Sequence, residues 1–392
     1  MHPEAFTRTF WQQRLPFIDG GLLLLVACLF SVGMVMMSSA SIDYAAVRYQ
    51  SGFYHLWRYG FYVVLAAAAG FAVACTPMRI WLRYGWACLV LGFVLLVLVI
   101  VPGIGREVNG SMRWIPVGPI NLQSSEVAKF CVLIYLAGYL VRRETEVREN
   151  WMGFIKPIGV VGVLIALLML EPDFGSVVVL FGACLGMLFL GGARLLQFLS
   201  VMLFGLVMAA IMIYSSPYRM QRLLTYLDPW ADQFNTGYQL TQSLIAFGRG
   251  EWFGLGLGNS VQKQFYLPEA HTDFVFAILA EELGFIGALS VIALFVVLFF
   301  RMLQIARRAE KGSRRFAAYL IYGVVLVLAS QVFINMGVNT GLLPTKGLTL
   351  PFLSYGGSSL LVTGAFMGLA LRVEYDNRSI AVPELGTRRE LS

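Results

Sequence analysis

Apolar residues fall along the 392-residue chain in ten runs of 17 to 28 positions, divided by short polar connections and one long one. A helix needs about 20 apolar residues to cross a bilayer. The pattern therefore predicts spans over 17–39, 56–75, 80–101, 125–141, 153–170, 174–191, 195–214, 273–300, 316–340 and 350–371. That describes an all-α integral membrane protein of ten transmembrane helices: a cytoplasmic N-terminal segment 1–16, a membrane domain 17–371 and a cytoplasmic tail 372–392. The first run outlasts the apolar stretch of a cleaved signal and is read as a span. The one long connection, 215–272, joins the seventh and eighth helices.

An even number of spans sets both ends of the chain on one side, and the basic residues say which. Nineteen of the 29 lysines and arginines lie in or beside the termini and the even-numbered connections, against ten at the odd-numbered ones. Connections rich in lysine and arginine stay in the cytoplasm. Both termini are expected there, with the long loop outside. The same placement answers a nucleic-acid reading of the net charge of +7, since these residues act as topology signals. Only 13% of residues are charged, about half the share of soluble domains. The five cysteines are odd in number, form no CxxC pair, and read as small core residues.

Polar residues inside apolar runs carry the chemistry, because a charge in hydrocarbon is costly and persists where it meets a cavity or a partner. Asp273, Glu281 and Glu282 open the run that continues to Phe300. Asp273 stands where loop hands over to helix, within reach of both water and a lipid head group, and is the first candidate for the working residue. Glu281 and Glu282 lie roughly 12–14 Å deeper along a helix and are assigned to packing against other polar spans. Glu126 and Lys129 share a helix face. They form either a mutually satisfied pair or, the preferred reading, a lysine turned into an outward-open cavity. Only Glu171-Pro172-Asp173 separates the fifth and sixth runs, and a helix cap explains Asp173 as well as a ligand site does. Gln331, Asn335 and Asn339 make a polar stripe, read first as interhelical hydrogen bonds and second as the lining of a groove.

The long loop holds too many Trp, Tyr, Phe and Leu residues for a disordered segment and is expected to lie over part of the cavity. Arg219 and Arg222 stand one turn apart if their segment is helical, where together they could grip a diphosphate; scattered solvated charges is the equal alternative. The glycine cluster 254–258 lacks the GK[ST] of a nucleotide loop and is read as sharp backbone turns. The ninth connection carries Lys346 and runs into Gly356-Gly357-Ser358-Ser359, which fits neither GxSxG nor SxxK. Its small residues permit close packing, and backbone N–H groups at that helix start could face an anion.

Several motifs in order resemble the SEDS family (shape, elongation, division and sporulation) over nearly the whole chain. They are Asn109-Gly110-Ser111-Met112-Arg113-Trp114-Ile115, the Glu126/Lys129 segment, Glu171-Pro172-Asp173-Phe174-Gly175, Tyr238-Gln239-Leu240, 267–284 and 344–359. Residues 256–263 and 345–352 resemble the division branch rather than the rod-elongation branch. Ser124 departs from the proline the family commonly has before Ser-Glu.

The resemblance implies a peptidoglycan glycosyltransferase of the inner membrane that polymerises lipid II at the division septum and releases undecaprenyl diphosphate. It implies a class B penicillin-binding transpeptidase as partner, among other septal proteins. It matches Asp273 to the family's essential aspartate, and Glu126 and Lys129 to its cavity lining. Arg113, Arg219, Arg222, Lys346 and Ser358 are the further substrate-contact candidates. A lipid II flippase and a non-catalytic division scaffold are the alternatives. Family members can depend on a divalent cation such as Mg2+ or Mn2+, for which Glu171 and Asp173 are candidate ligands, although no spacing here is diagnostic.

Inverting transfer of a sugar from a lipid diphosphate needs one carboxylate, as base at the attacking hydroxyl, because the diphosphate is already a weakly basic leaving group. Asp273 takes that role. Lys129, Arg219, Arg222 and Lys346 are the candidates to steady the departing charge.

Overall fold

The apolar runs become helices because a helix satisfies its own backbone groups where no water can. The computed structural model describes residues 19–389 apart from 109, 110, 119, 345 and 346, so the predicted segment 1–16 lies outside it. In chain order, α1 (Gly20–Tyr49), α2 (Tyr54–Cys75) and α3 (Met78–Ile100) lead to three strands, β1 (Arg106–Val108), β2 (Ser111–Val117) and β3 (Ile120–Gln123). Next come α4 (Ser124–Arg142), the short α5 (Glu144–Glu149), α6 (Trp151–Leu170), α7 (Phe174–Leu190) and α8 (Leu195–Tyr214). The long connection holds α9 (Pro217–Leu227) and α10 (Tyr238–Gly250), and after it stand α11 (Val275–Lys311), α12 (Arg315–Asn339) and α13 (Gly357–Arg389). Among the described residues eight helices, α1 to α4, α6, α8, α11 and α12, are long and apolar enough to cross a membrane; α7 is apolar but shorter.

Burial sorts the helices into centre and rim. The apolar window of α4 is 78% buried and that of α12 is 67%, against 6% for α8. Helices α4 and α12 thus form the axis around which the others stand, while α8 offers nearly its whole surface to lipid.

Three features differ from the expectation. The connection 101–123 is also long, and it folds as an antiparallel sheet in the order β1-β2-β3, with Trp114 opposite Gln123 and Val117 opposite Ile120. The all-α reading did not include this small sheet, although the chain is mostly helical as expected. Second, the segment expected as a tail from 372 continues α13, and Val373, Glu374 and Asn377 are buried. Glu374 accepts from Arg308 at 2.6 Å and Arg378 at 2.8 Å. Asp19, which caps α1, accepts from Arg301 at 2.8 Å and pairs with Arg378 at 3.5 Å, so both ends of the described chain are tied to α11.

Third, the predicted eighth span is broken. At Gly284 the backbone turns to φ 69° and ψ −169°, which separates a short helix over 275–283 from the longer one after it. A break inside a membrane helix frees backbone groups that must find partners. The glycine cluster supplies them: Leu255 N–H donates to the Glu281 carbonyl and Gly256 N–H to that of Glu282, both at 3.0 Å, while Phe285 and Ile286 N–H donate to the carbonyls of Glu251 and Trp252. A Cβ on Gly254 would collide with the Glu282 carbonyl oxygen, so only glycine lets the two backbones lie this close. The side chains complete the seam. Glu281 accepts from Arg249, Ser260 and the N–H groups of Val261 and Gln262. Glu282 accepts from Lys263 at 3.0 Å and from Ser39 of α1 at 2.6 Å.

Helices α2 and α13 meet through small residues. A Cβ on Gly364 would collide with the Ala66 carbonyl oxygen, and one on Gly368 with that of Gly70. Close backbone approach is how membrane helices associate without a hydrophobic driving force. Gly364→Leu should therefore lower the melting temperature in detergent, by overpacking of about 1–3 kcal/mol or more. Gly159→Ala in α6, where nothing stands within 4 Å, should leave it unchanged or slightly raised. Equal melting curves for the two variants would refute this packing.

Candidate active site

The site begins with a turn. Glu269, at φ 56°, presents its carbonyl oxygen to the N–H groups of Thr272 and Asp273 at 3.1 Å and of Phe274 at 3.3 Å, which reverses the chain just before α11. Two amides from α12 then hold the end of this turn and the start of the helix. Asn335 and Asn339 donate to the Asp273 carbonyl oxygen at 2.9 and 3.0 Å. Asn339 Oδ1 also accepts from Ala277 N–H at 3.1 Å in the first turn of the helix, a donor it shares with the Phe274 carbonyl. Asn335 reaches the Leu348 carbonyl at 2.6 Å and so joins this turn to the connection before α13. The polar stripe is thus an interhelical hydrogen-bonding device whose product is the placement of one carboxyl.

That carboxyl opens on a cavity of about 550 Å³. Its walls are Arg58 and Tyr62 of α2, Ser111, Arg113 and Trp114 of β2, Asn121 and Gln123 of β3, Glu126 of α4, Arg222 of α9, Gln239 of α10, Glu269, 271–274, 347–349 and 355–357. Gly347 keeps one wall open beside the acid, since a Cβ there would stand 3.0 Å from Asp273 Oδ2. Removal from water pushes the Asp273 carboxyl up to about 7, with the Glu269 charge adding to the rise and Arg113 opposing it.

The other expected residues divide. Glu126 lines the cavity, but Lys129 does not: its ammonium is fully buried and bonds Glu126 at 2.7 Å, so the self-satisfied pair replaces the preferred reading of a lysine facing substrate. Arg113 lines the cavity while bonding the carbonyl oxygens of Glu171 at 3.0 Å and Pro172 at 2.5 Å, with Asp173 at 4.0 Å. It clamps the sheet onto the turn between α6 and α7. Ser358 faces away, donating to the Asn121 carbonyl and accepting from Gln123 N–H, both at 2.8 Å, so it ties α13 to β3 instead of touching a ligand. Arg222 lines the cavity from a segment that is helical, as the pairing with Arg219 required; the side chain of Arg219 and all of Lys346 lie outside the described residues.

Asp173 is a helix cap, accepting from Ser176 N–H at 3.2 Å. Glu171 accepts from Ser124 at 3.0 Å, and burial pushes its carboxyl up to about 8, opposed by that hydrogen bond, so it is mostly neutral at pH 7. A resident Mg2+ asks for about six oxygens around charged ligands. Two carboxylates do not make such a set, and no group of three His, Cys, Asp or Glu converges among the described residues. These two residues do not fit a divalent cation.

Sequence reasoning missed Arg58, Tyr62, His271 and Tyr355 on the cavity wall. His271 belongs to a ring cluster, stacked on Tyr44 with centroids 5.2 Å apart and 5.1 Å from His55. The signal for Arg58 was available, as a cation inside an apolar run, but it served only to count charges for topology.

Similarity to known proteins places this arrangement in a family. The family described as cell cycle protein (FtsW, RodA, SpoVE) matches residues 21–379. The chain is 54% identical over 364 residues to a probable peptidoglycan glycosyltransferase FtsW of Pseudomonas fluorescens, covering 92% of this chain and 89% of that one. It is 55% identical over 363 residues to a protein of the same name from Nitrosococcus halophilus, covering 93% and 94%. Among solved structures it is similar to a chain described under the structural coordination of polymerization and crosslinking by a peptidoglycan synthase complex, with a TM-score of 0.77 at 28% identity over 92% of this chain and 98% of that one. The rod shape determining protein RodA of Thermus thermophilus matches with a TM-score of 0.68 at 28% identity, over 92% and 97%.

Proposed function

Since the chain belongs to the SEDS family of cell cycle proteins, we propose that it is a peptidoglycan glycosyltransferase that polymerises lipid II at the division septum. In this reading it is a multi-pass protein of the inner membrane with both termini cytoplasmic. A class B penicillin-binding transpeptidase is its partner, a pairing supported by the likeness to a chain from a complex that couples polymerization to crosslinking.

The observation that carries the reading is a carboxyl on the wall of a cavity, borne by a residue whose backbone carbonyl two amides hold in place, and burial raises it towards 7. A general base works best when its pKa lies near the operating pH. Asp273 takes the proton from the acceptor sugar hydroxyl as that oxygen bonds the anomeric carbon of the donor. The bond from that carbon to the lipid diphosphate breaks with its electron pair going to the diphosphate, and configuration inverts. Arg222 is placed to meet negative charge in the same cavity.

The test supplies lipid II in detergent, where no bilayer has to be crossed, to the purified chain together with its partner transpeptidase. Glycan strands that depend on Asp273 support the enzyme. Transport across vesicles with no polymer under any condition would make the chain a flippase instead. Unchanged septation with Asp273 replaced would leave only a scaffold.

A further inference from the structure

At the end of the bundle away from Asp273, two helix starts carry the wrong charge. Glu126, near the start of α4, lines the active-site cavity, whereas Val141, at the far end of α4, lines a second cavity of about 1040 Å³. This second cavity takes in the starts of α3 and α12, with Arg79 in the first turn of α3, Arg314 just before α12 and Arg315 its first residue. The N-terminal end of a helix is its positive end and favours an acid. Neither first turn has one. Arg372 of α13 adds a fourth guanidinium, and the carboxylates on the wall are Glu144 and Asp376.

Both acids are already engaged. Glu144 pairs with Arg315, and with Arg148 at 2.9 Å, while Asp376 pairs with Arg372 at 3.0 Å. Among the described residues neither Arg79 nor Arg314 has a carboxylate within 4.0 Å. Arg314 donates to the amide oxygen of Asn377, and its Nε and Nη1 are buried without a hydrogen-bond partner. Arginines in connections are ordinary topology signals. Topology asks only for charge on one side, however, and does not require four guanidiniums around one cavity with two of them uncompensated.

An apolar groove of about 650 Å³ adjoins this cavity, between α1, α2 and α13. Arg372 lines both, and the turn from α2 to α3 joins them, with Cys75 on the groove and Pro77 on the cavity. Val26, Ala67, Phe71 and Met367 stand on the groove walls, and Tyr375 lies under the Arg372 guanidinium, 5.4 Å from it to the ring centre. A cationic cavity at the level of the helix ends, leading into an apolar groove, matches a phospholipid with phosphate first and acyl chain after.

We propose that this end of the bundle holds one anionic phospholipid of the inner leaflet, its phosphate against Arg79 and Arg314 and an acyl chain in the groove between α1, α2 and α13. Basic pockets between helices on the cytoplasmic side receive such head groups. A zwitterionic lipid would bring its own ammonium to the four guanidiniums, and a free phosphate would leave the groove unused. The site rests on the orientation that the basic residues give and is independent of the reaction at Asp273.

The full chain in detergent is titrated with dioleoyl phosphatidylglycerol, dioleoyl phosphatidylcholine, glycerol phosphate and undecaprenyl diphosphate, with bound lipid counted by native mass spectrometry. Phosphatidylglycerol should bind saturably and more tightly than the other three. Arg79→Gln should weaken it about 10-fold, and Arg79→Gln with Arg314→Gln about 100-fold. Arg79 is exposed, so its single variant reports even if loss of the Arg314 contact to Asn377 disturbs folding. Arg83→Gln, one turn further along α3 and off the cavity wall, should change nothing. Ala67→Phe fills the groove and should weaken dioleoyl but not dihexanoyl phosphatidylglycerol. Equal binding of phosphatidylcholine, an equal loss in Arg83→Gln, or wild-type affinity in Arg79→Gln overturns the site. So does equal competition by glycerol phosphate, which would mark a free-anion site, or tighter binding of undecaprenyl diphosphate, which would mark an entry for the lipid carrier. Unchanged dioleoyl binding in Ala67→Phe overturns the placement of the acyl chain.

Discussion

Replacing Asp273 with asparagine should reduce glycan polymerisation by about 10³-fold or more, at the upper end of what a positioned base supplies, while the protein folds and binds its partner. Asparagine keeps the shape and leaves the backbone carbonyl available to Asn335 and Asn339, so only the proton acceptor is lost. The pH profile is the sharper measurement. The base form exists above its pKa, so wild-type activity should climb with unit slope below about 7 and level off above it. Stability should run the other way. Burial raises this carboxyl from its usual 3.8, so the folded state holds a proton that the unfolded chain has already released. Wild type should lose stability as pH rises towards 7, and the asparagine variant should melt higher than wild type at pH 8 with the difference closing towards pH 4. A variant that polymerises at the wild-type rate would remove Asp273 from the chemistry.

The second large effect concerns the seam at Gly284. Lys263 and Glu282 are both almost fully buried and bond each other at 3.0 Å. Lys263 also donates to the Gly258 carbonyl at 2.7 Å and to Ser39 at 3.0 Å. Glu282→Ala leaves the buried ammonium without its counter-charge, and removing one member of a buried pair costs about 3–5 kcal/mol. The variant should show a large drop in melting temperature and easier proteolysis within 251–266. Glu282→Gln, which keeps an acceptor, should lose less. The double change Lys263→Met with Glu282→Met removes both charges and should recover most of the loss, because a buried pair is often no better than apolar residues of similar volume. Losses that simply add would show that the two side chains do not act as a pair.

Much of this architecture was legible beforehand, for identifiable reasons. Apolar runs of membrane length have few alternatives to helix, and a carboxyl at the hand-over from loop to helix advertises itself. The cap at Asp173 was one of two stated readings. What escaped depended on partners distant along the chain. The strands of the sheet are three, seven and four residues long, and β2 carries Pro116, so alternation had little room to register, although Val117-Gly118-Pro119-Ile120 was a turn signal. A glycine inside an apolar run reads as helix. Gly284 breaks because the backbone of 251–256 offers the freed groups somewhere to go, and that depends on residues some thirty positions earlier. Spacing placed Glu126 and Lys129 together but left open which of them met the cavity. Ser358 sat among glycines at a helix start, a setting shared by ligand loops and by plain joinery.

The interruption at Gly284 makes the acid's support a short peg instead of the top of a rod. Residues 275–283 are pinned sideways by Asn339 and by Gly250, whose Cβ position is filled by the Ala280 carbonyl oxygen. The reactive group thus takes its height from neighbours at its own level. The longer shaft beyond the interruption is left to match itself to the lipid around it.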